Sequence, residues 1–183
     1  MIEELKSLSG NGHGNLYEGQ ADNGNAQRSF IRGVIEGLQP ETIFETGTNK
    51  GFFGAFLNEI GFMGTWVTCD PDHEVSQPAI DIIKRCVSFN VEYFACKSTD
   101  EPFLSRMRDE KETNVLAWID GDHSYEGAFN DLQMVNHLLG CPILIDDFSY
   151  DNVKRAVGDF LLVSNYELVC VSTDNRQIAY LKP

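Results

Sequence analysis

Two short acidic stretches hold the residues of this chain that could do chemistry. In WIDGDHSYEG (118–127), the apolar run NVLAW ends in Asp120, Gly121, Asp122 and His123. In ILIDDF (143–148), a second apolar run ends in Asp146 and Asp147. Both runs read as strands, and neighbouring strands lie about 4.8 Å apart, so carboxylates at their ends can converge on one ion. Asp120, Asp146 and Asp147 would offer three oxygen ligands. That set suits Mg²⁺, which keeps waters or substrate oxygens in its remaining positions. An ion so placed would lower the pKa of a bound hydroxyl. His123 lies three residues beyond Asp120, and an imidazole of ordinary pKa about 6.5 suits proton removal near neutral pH. Asp120 and His123 are therefore the candidate catalytic pair. His13, His73 and His137 are less well placed, in a glycine-rich arm, behind a different strand and late on a helix.

Part of the first stretch needs no chemistry to explain it. Gly121, Asp122 and Ser124 are turn and helix-cap residues by type. Trp118 and Tyr125 read as packing residues, and Asp131 as an exposed or capping side chain.

The elements that must position these groups follow from periodicity. Apolar residues at Phe30, Ile31, Val34, Ile35 and Leu38 predict a helix over 26–38, ended by Pro40. An alternation follows: strands at 42–47, 65–70, 91–96, 114–120 and 142–147, separated by helices. The helix at 78–87 is expected to be capped by Ser76, the next opens at Asp100-Glu101-Pro102, and Ser124 caps one running to about Leu139. Two strands at 166–173 and 176–182, joined through Asp-Asn, close the chain as a hairpin. This pattern predicts an α/β, Rossmann-like, doubly wound and mostly parallel sheet of seven strands with an antiparallel C-terminal strand. Residues 26–183 form one domain. Residues 1–25, rich in Gly and Asn, read as a flexible arm or lid without helix or strand.

In such sheets ligands bind beyond the carboxyl ends of the strands. The loop there, FETGTNKGFFG (44–54), lacks the GxGxxG dinucleotide pattern, because Glu45 and Lys50 stand where glycines are needed. A carboxylate at 45 would also oppose a pyrophosphate held at the helix N-terminus. The spacing Glu45-x-Gly47-x-x-x-Gly51 instead resembles motif I of the class I S-adenosylmethionine-dependent methyltransferases. That cofactor is cationic at sulfur and carries no phosphate. The resemblance implies a cofactor site of Glu45, Gly47, Thr48, Asn49 and Gly51, with Asp70 at the next strand end accepting the ribose hydroxyls, Ser98 near the adenine, and Asp120 beside them. Gly54 and Gly61 are better explained by close helix–strand packing.

WIDGDHSYEGAFNDL followed by ILIDDF resembles more specifically the metal-dependent O-methyltransferase-type family that includes macrolide-sugar O-methyltransferases and cephalosporin-hydroxylase-like proteins. The likeness spans about residues 40–160. It implies Mg²⁺ on Asp120, Asp146 and Asp147, and His123 as the base. The family's second pair is often Glu-Asp, whereas here it is Asp-Asp. The expected activity is methyl transfer from S-adenosyl-L-methionine to a hydroxyl of a small molecule, a sugar or other polyhydroxylated compound. The competing expectation is a non-catalytic, cofactor-binding module or partner subunit. It arises because only about 40 residues precede the core to close a site: the arm with Tyr17 folds over it, a second copy in a homodimer completes it, or it stays open. Metal-dependent oxidation or hydrolysis on the same fold is disfavoured, since the two-histidine, one-carboxylate set of non-haem iron is lacking.

Composition narrows the partners. Fourteen Lys plus Arg against 28 Asp plus Glu leaves a net charge of −14, which disfavours nucleic acid and anionic membranes. The N-terminus MIEELKSLSG lacks the form of a signal peptide, and no apolar run is long enough for a membrane span, so a cytoplasmic location is expected. Five cysteines with no CxxC spacing read as reduced, largely buried small hydrophobes.

Overall fold

Strand β1 (Thr42–Thr46) is buried along its whole length, as a central strand covered on both faces must be. The computed structural model describes residues 1–9, 23–112, 114–173 and 176–183. Around β1 run β2 (Thr65–Cys69), β3 (Asn90–Phe94), β4 (Val115–Ile119), β5 (Ile143–Ile145), β6 (Glu167–Val171) and β7 (Ala179–Lys182). Their spatial order is β3-β2-β1-β4-β5-β7-β6. β1 to β5 pair in parallel, and β7 pairs antiparallel with both β5 and β6. The predicted seven-stranded, mostly parallel sheet with an antiparallel C-terminal strand is therefore the observed one.

Side-chain alternation divides the core in two. Ile43, Trp66, Trp118, Leu144 and Tyr180 point to the face covered by α1 (Ile2–Ser9), α2 (Asn23–Leu38), α3 (Phe52–Glu59) and α4 (His73–Cys86). Phe44, Val67, Ala117, Ile143 and Leu181 point to the face covered by α5 (Glu101–Arg108), α6 (Tyr125–Leu138) and α7 (Asp151–Val163). No helix among the described residues is long and apolar enough to cross a membrane.

Three local expectations are corrected. Ile2–Ser9 is helical, and Leu5 is fully buried in the first core, so helix enters the stretch read as an arm; residues 10–22, with His13 and Tyr17, lie outside the described residues. Helix α4 begins at His73, capped by the Asp72 carboxylate accepting from the Val75 amide. Ser76, the expected cap, lies buried inside that helix, and Pro78 is accommodated within it. The cysteines are free, and Cys69 and Cys141 are buried as expected, but Cys86 and Cys170 are exposed. Cys170 belongs to the edge strand β6, which is covered poorly.

Gly54 bears out the packing expectation, since a Cβ there would lie 2.4 Å from the Trp66 ring. Gly61 does not: its space is open, and its φ of 75° after α3 is what favours glycine.

Candidate active site

The carboxyl ends of β1, β2, β4 and β5 form one edge, and the loops that leave it hold most of the candidate residues. β1 turns at Gly47, whose φ is 89° and whose missing Cβ would lie 2.1 Å from the Asp120 carbonyl oxygen. Only glycine fits that crossing of the β1 and β4 loops. Asn49 (φ 45°) and Gly51 (φ 71°) complete a left-handed path into α3. The Asp70 carboxylate ties this loop to β2, accepting from the Asn49 amide (2.7 Å) and the Asp72 amide (2.8 Å). Each of its oxygens keeps a lone pair for a further donor, such as a hydroxyl.

Glu45 is placed differently from a loop carboxylate open to a ligand. It is 1% exposed, and it accepts from Trp66 Nε1 (3.1 Å) and from the Thr68 hydroxyl, which also pairs with Thr48. Burial raises its pKa well above the carboxylate range, against the bond from Thr68. Glu45 and Thr48 thus brace β1 against β2 from inside.

Ser98, in the loop after β3, donates to Asp131 Oδ1 at 2.6 Å. Asp131 is the chief correction on this edge: it is not exposed but buried at 4%, projecting from α6 beneath the β1 and β4 loops. A Cβ on Gly121 would lie 3.2 Å from Thr46 Oγ1 and 3.3 Å from Asp131 Oδ2, so these two side chains flank that glycine. Burial pushes the Asp131 carboxyl up to about 6, against the bond from Ser98.

The remaining candidates meet at the ends of β4 and β5. His123 Nε2 lies 3.5 Å from Asp120 Oδ1 and 3.2 Å from Asp147 Oδ2. One ligand atom from each of Asp120, His123 and Asp147 falls within 4.8 Å of the others. These three have the donor types for a divalent cation, and Asp146 is not among them. Asp146 Oδ1 is buried without a hydrogen-bond partner among the described residues, and burial and the nearby Asp120 charge raise its pKa well above the usual range. Desolvation also raises Asp120, opposed by the nearby His123, and the Asp120 carboxylate 3.5 Å away helps to hold the His123 imidazole above its ordinary pKa. Asp122 is the turn residue expected: it accepts from the Ser124 amide (2.9 Å) and hydroxyl (3.0 Å), and Ser124 in turn caps α6 at the Gly127 amide. Trp118 stacks on Phe53, and Tyr125 donates to Asp159 on α7, so both pack as expected.

One residue at this edge has no sequence signal. Arg176 forks onto Asp147, Nε to Oδ1 at 2.8 Å and Nη2 to Oδ2 at 2.9 Å, and Nη2 lies 3.3 Å from Asp146 Oδ2. Burial acts against its charge, but the bond to Asp147 and the Asp146 charge raise its pKa. Nothing in RQIAYLK marks it. β7 runs antiparallel beside β5, pairing Ala179 with Ile145, and this puts the residues before Ala179 next to those after Ile145.

No protein-family model matches this chain, and no curated protein matches it. Solved structures do. The O-methyltransferase from Bacillus cereus in complex with SAH superposes with a TM-score of 0.71 at 15% identity, over 100% of this chain and 90% of that one. TomG from Streptomyces achromogenes, an O-methyltransferase involved in tomaymycin synthesis and solved with SAM, gives 0.71 at 13% identity, over 98% and 89%. Cofactor-bound Rv0187 from MTB gives 0.70 at 19% identity, over 99% and 88%. The chain has the class I methyltransferase fold.

Proposed function

We propose that the chain transfers a methyl group from S-adenosyl-L-methionine to a hydroxyl of a small molecule, a sugar or another polyhydroxylated compound. One observation carries the reading. His123 Nε2 lies between two carboxylates on the same strand-end edge as the Gly47 loop and Asp70. The loop allows close approach of a nucleoside, Asp70 has capacity for ribose hydroxyls, and an edge lined by acids suits a sulfonium. The substrate oxygen attacks the methyl carbon, the S–CH₃ bond breaks with its electron pair going to sulfur, and S-adenosylhomocysteine leaves. The hydroxyl proton passes to the lone pair of His123 Nε2, and the neighbouring Asp120 carboxylate stabilises the imidazolium that results. Positioning provides much of the acceleration, because the sulfonium is already reactive.

Asp120, His123 and Asp147 are the residues that would hold a divalent cation, Mg²⁺ by the donor set, and it would supply a lowered pKa for the substrate hydroxyl. His123 Nε2 would then be a ligand. Metal ligation and proton acceptance are alternatives at that one atom.

The test is calorimetric titration with S-adenosylhomocysteine, then a screen of hydroxylated acceptors for methyl transfer. The expected result is saturable binding, transfer to at least one acceptor, and a loss of about 100-fold or more in turnover for His123→Asn with binding retained. Absence of binding refutes the reading. Binding without transfer to any acceptor favours the non-catalytic module.

A further inference from the structure

We propose that Arg176 is the resident cation of this edge: its guanidinium occupies the place that the acidic pattern offers to Mg²⁺, so that a divalent metal binds only by displacing it. The inference rests on the methyltransferase reading only for its consequence, that His123 remains the proton acceptor and transfer proceeds without metal.

Three features build the arrangement. The first is the fork itself. Both oxygens of Asp147 accept from Arg176, and Nη2 also reaches Asp146, so one planar group bridges the acidic pair at β5 and offsets one unit of its charge. The second is that Asp147 is buried at 1% and so has little water to screen its charge. The third is that the Arg176 backbone is anchored on one side and its neighbour on the other. Gln27 of α2 donates to the Arg176 carbonyl at 2.8 Å, and the Phe148 amide donates to the Gln177 carbonyl at 2.7 Å. The guanidinium is held at the acids rather than reaching them by chance from a distant surface.

Exclusion follows from distance. A metal on Asp120, His123 and Asp147 would stand about 2.1 Å from the carboxylate oxygens, as Mg²⁺ requires. Nη2 lies 2.9 Å from Asp147 Oδ2, one of the oxygens in question. Two cations sharing one carboxylate at such range repel strongly where solvent is scarce. The set of donors is right for a metal, but Arg176 already offsets part of the charge it would neutralise and takes both oxygens of Asp147.

The experiment uses Mn²⁺ alone as the probe, titrated calorimetrically into the full chain, for wild type, Arg176→Gln and Arg176→Lys. Removal of a unit positive charge beside two carboxylates is expected to tighten Mn²⁺ binding by at least about tenfold in Arg176→Gln. Arg176→Lys, which keeps the charge but not the fork, is expected to stay within about threefold of wild type. S-adenosylhomocysteine titration and thermal melting of the same proteins report whether each variant is folded and whether the cofactor site is intact. They also separate a failure here from a failure of the methyltransferase reading. Equal Mn²⁺ affinity in wild type and Arg176→Gln, or equal absence of binding, overturns the proposal. So does an equal gain in both variants, which would trace the effect to loosened structure rather than to charge.

Discussion

Asp131→Asn is expected to stabilise the protein at neutral pH and to remove part of its pH dependence. Asp131 is buried at 4% with Ser98 as hydrogen-bond donor, and its carboxyl is pushed from an ordinary 3.8 up to about 6. The folded protein therefore holds this proton more tightly than the unfolded chain does. Stability from this group is fully present below pH 3.8, falls as the pH rises through the window to about 6, and stays low above it. At about 1.4 kcal/mol per pH unit, the loss is about 3 kcal/mol. An asparagine keeps an oxygen for the Ser98 hydroxyl and carries no charge to bury. Its amide also faces the side of Gly121 that Thr46 Oγ1 lines. Urea unfolding of wild type and variant is followed by the fluorescence of Trp66 and Trp118, both buried. Dilute samples are needed near the sequence pI of 4.5. The two proteins should be about equally stable near pH 4, and the variant should lead by about 1–3 kcal/mol near pH 7.5. A gap that does not change with pH, or a variant less stable at pH 7.5, refutes the reasoning, because the buried charge would then not be the cause.

The other predictions concern the loops of the same edge. Gly47→Ala pushes a Cβ against the Asp120 carbonyl at a φ of 89°, so thermal melting should show a loss of about 3 kcal/mol or more and calorimetry a loss of S-adenosylhomocysteine binding. Asp70→Ala removes the acceptor of the Asn49 and Asp72 amides, and cofactor affinity should fall at least about tenfold; an unchanged affinity would remove Asp70 from the cofactor site. Asp122→Ala loses its bonds to the Ser124 amide and hydroxyl, so urea unfolding should report about 1 kcal/mol of destabilisation while cofactor affinity holds.

Much of the fold was legible in the sequence because periodicity and turn chemistry are local. The runs TIFET, TWVTC and VLAWI are buried on both faces because they lie in the middle of a parallel sheet, and Ser124 caps the helix it was expected to cap. Strand ends were legible too, and in a parallel sheet all carboxyl ends share one edge, where Asp120, His123 and Asp147 come together without Asp146 and Asp70 holds the neighbouring β1 loop. Side-chain direction and burial were not legible. Glu45 alternates inward onto Trp66 and Thr68, and Asp131 lies on the sheet-facing side of α6; an acidic letter gives no sign of either.

Strand order and direction decided the rest. That the strand expected to run antiparallel lies beside β5 depends on which edges pair after the chain collapses, not on any property of RQIAYLK. Had β7 run parallel, Arg176 would have stood at the opposite edge of the sheet. The sequence by itself determined an acidic strand-end edge with one histidine over it. The tertiary structure alone determined that a guanidinium, 29 residues further along the chain, meets Asp147 there. A charge pair across that separation has no periodicity or spacing to announce it, only the geometry of an antiparallel partner.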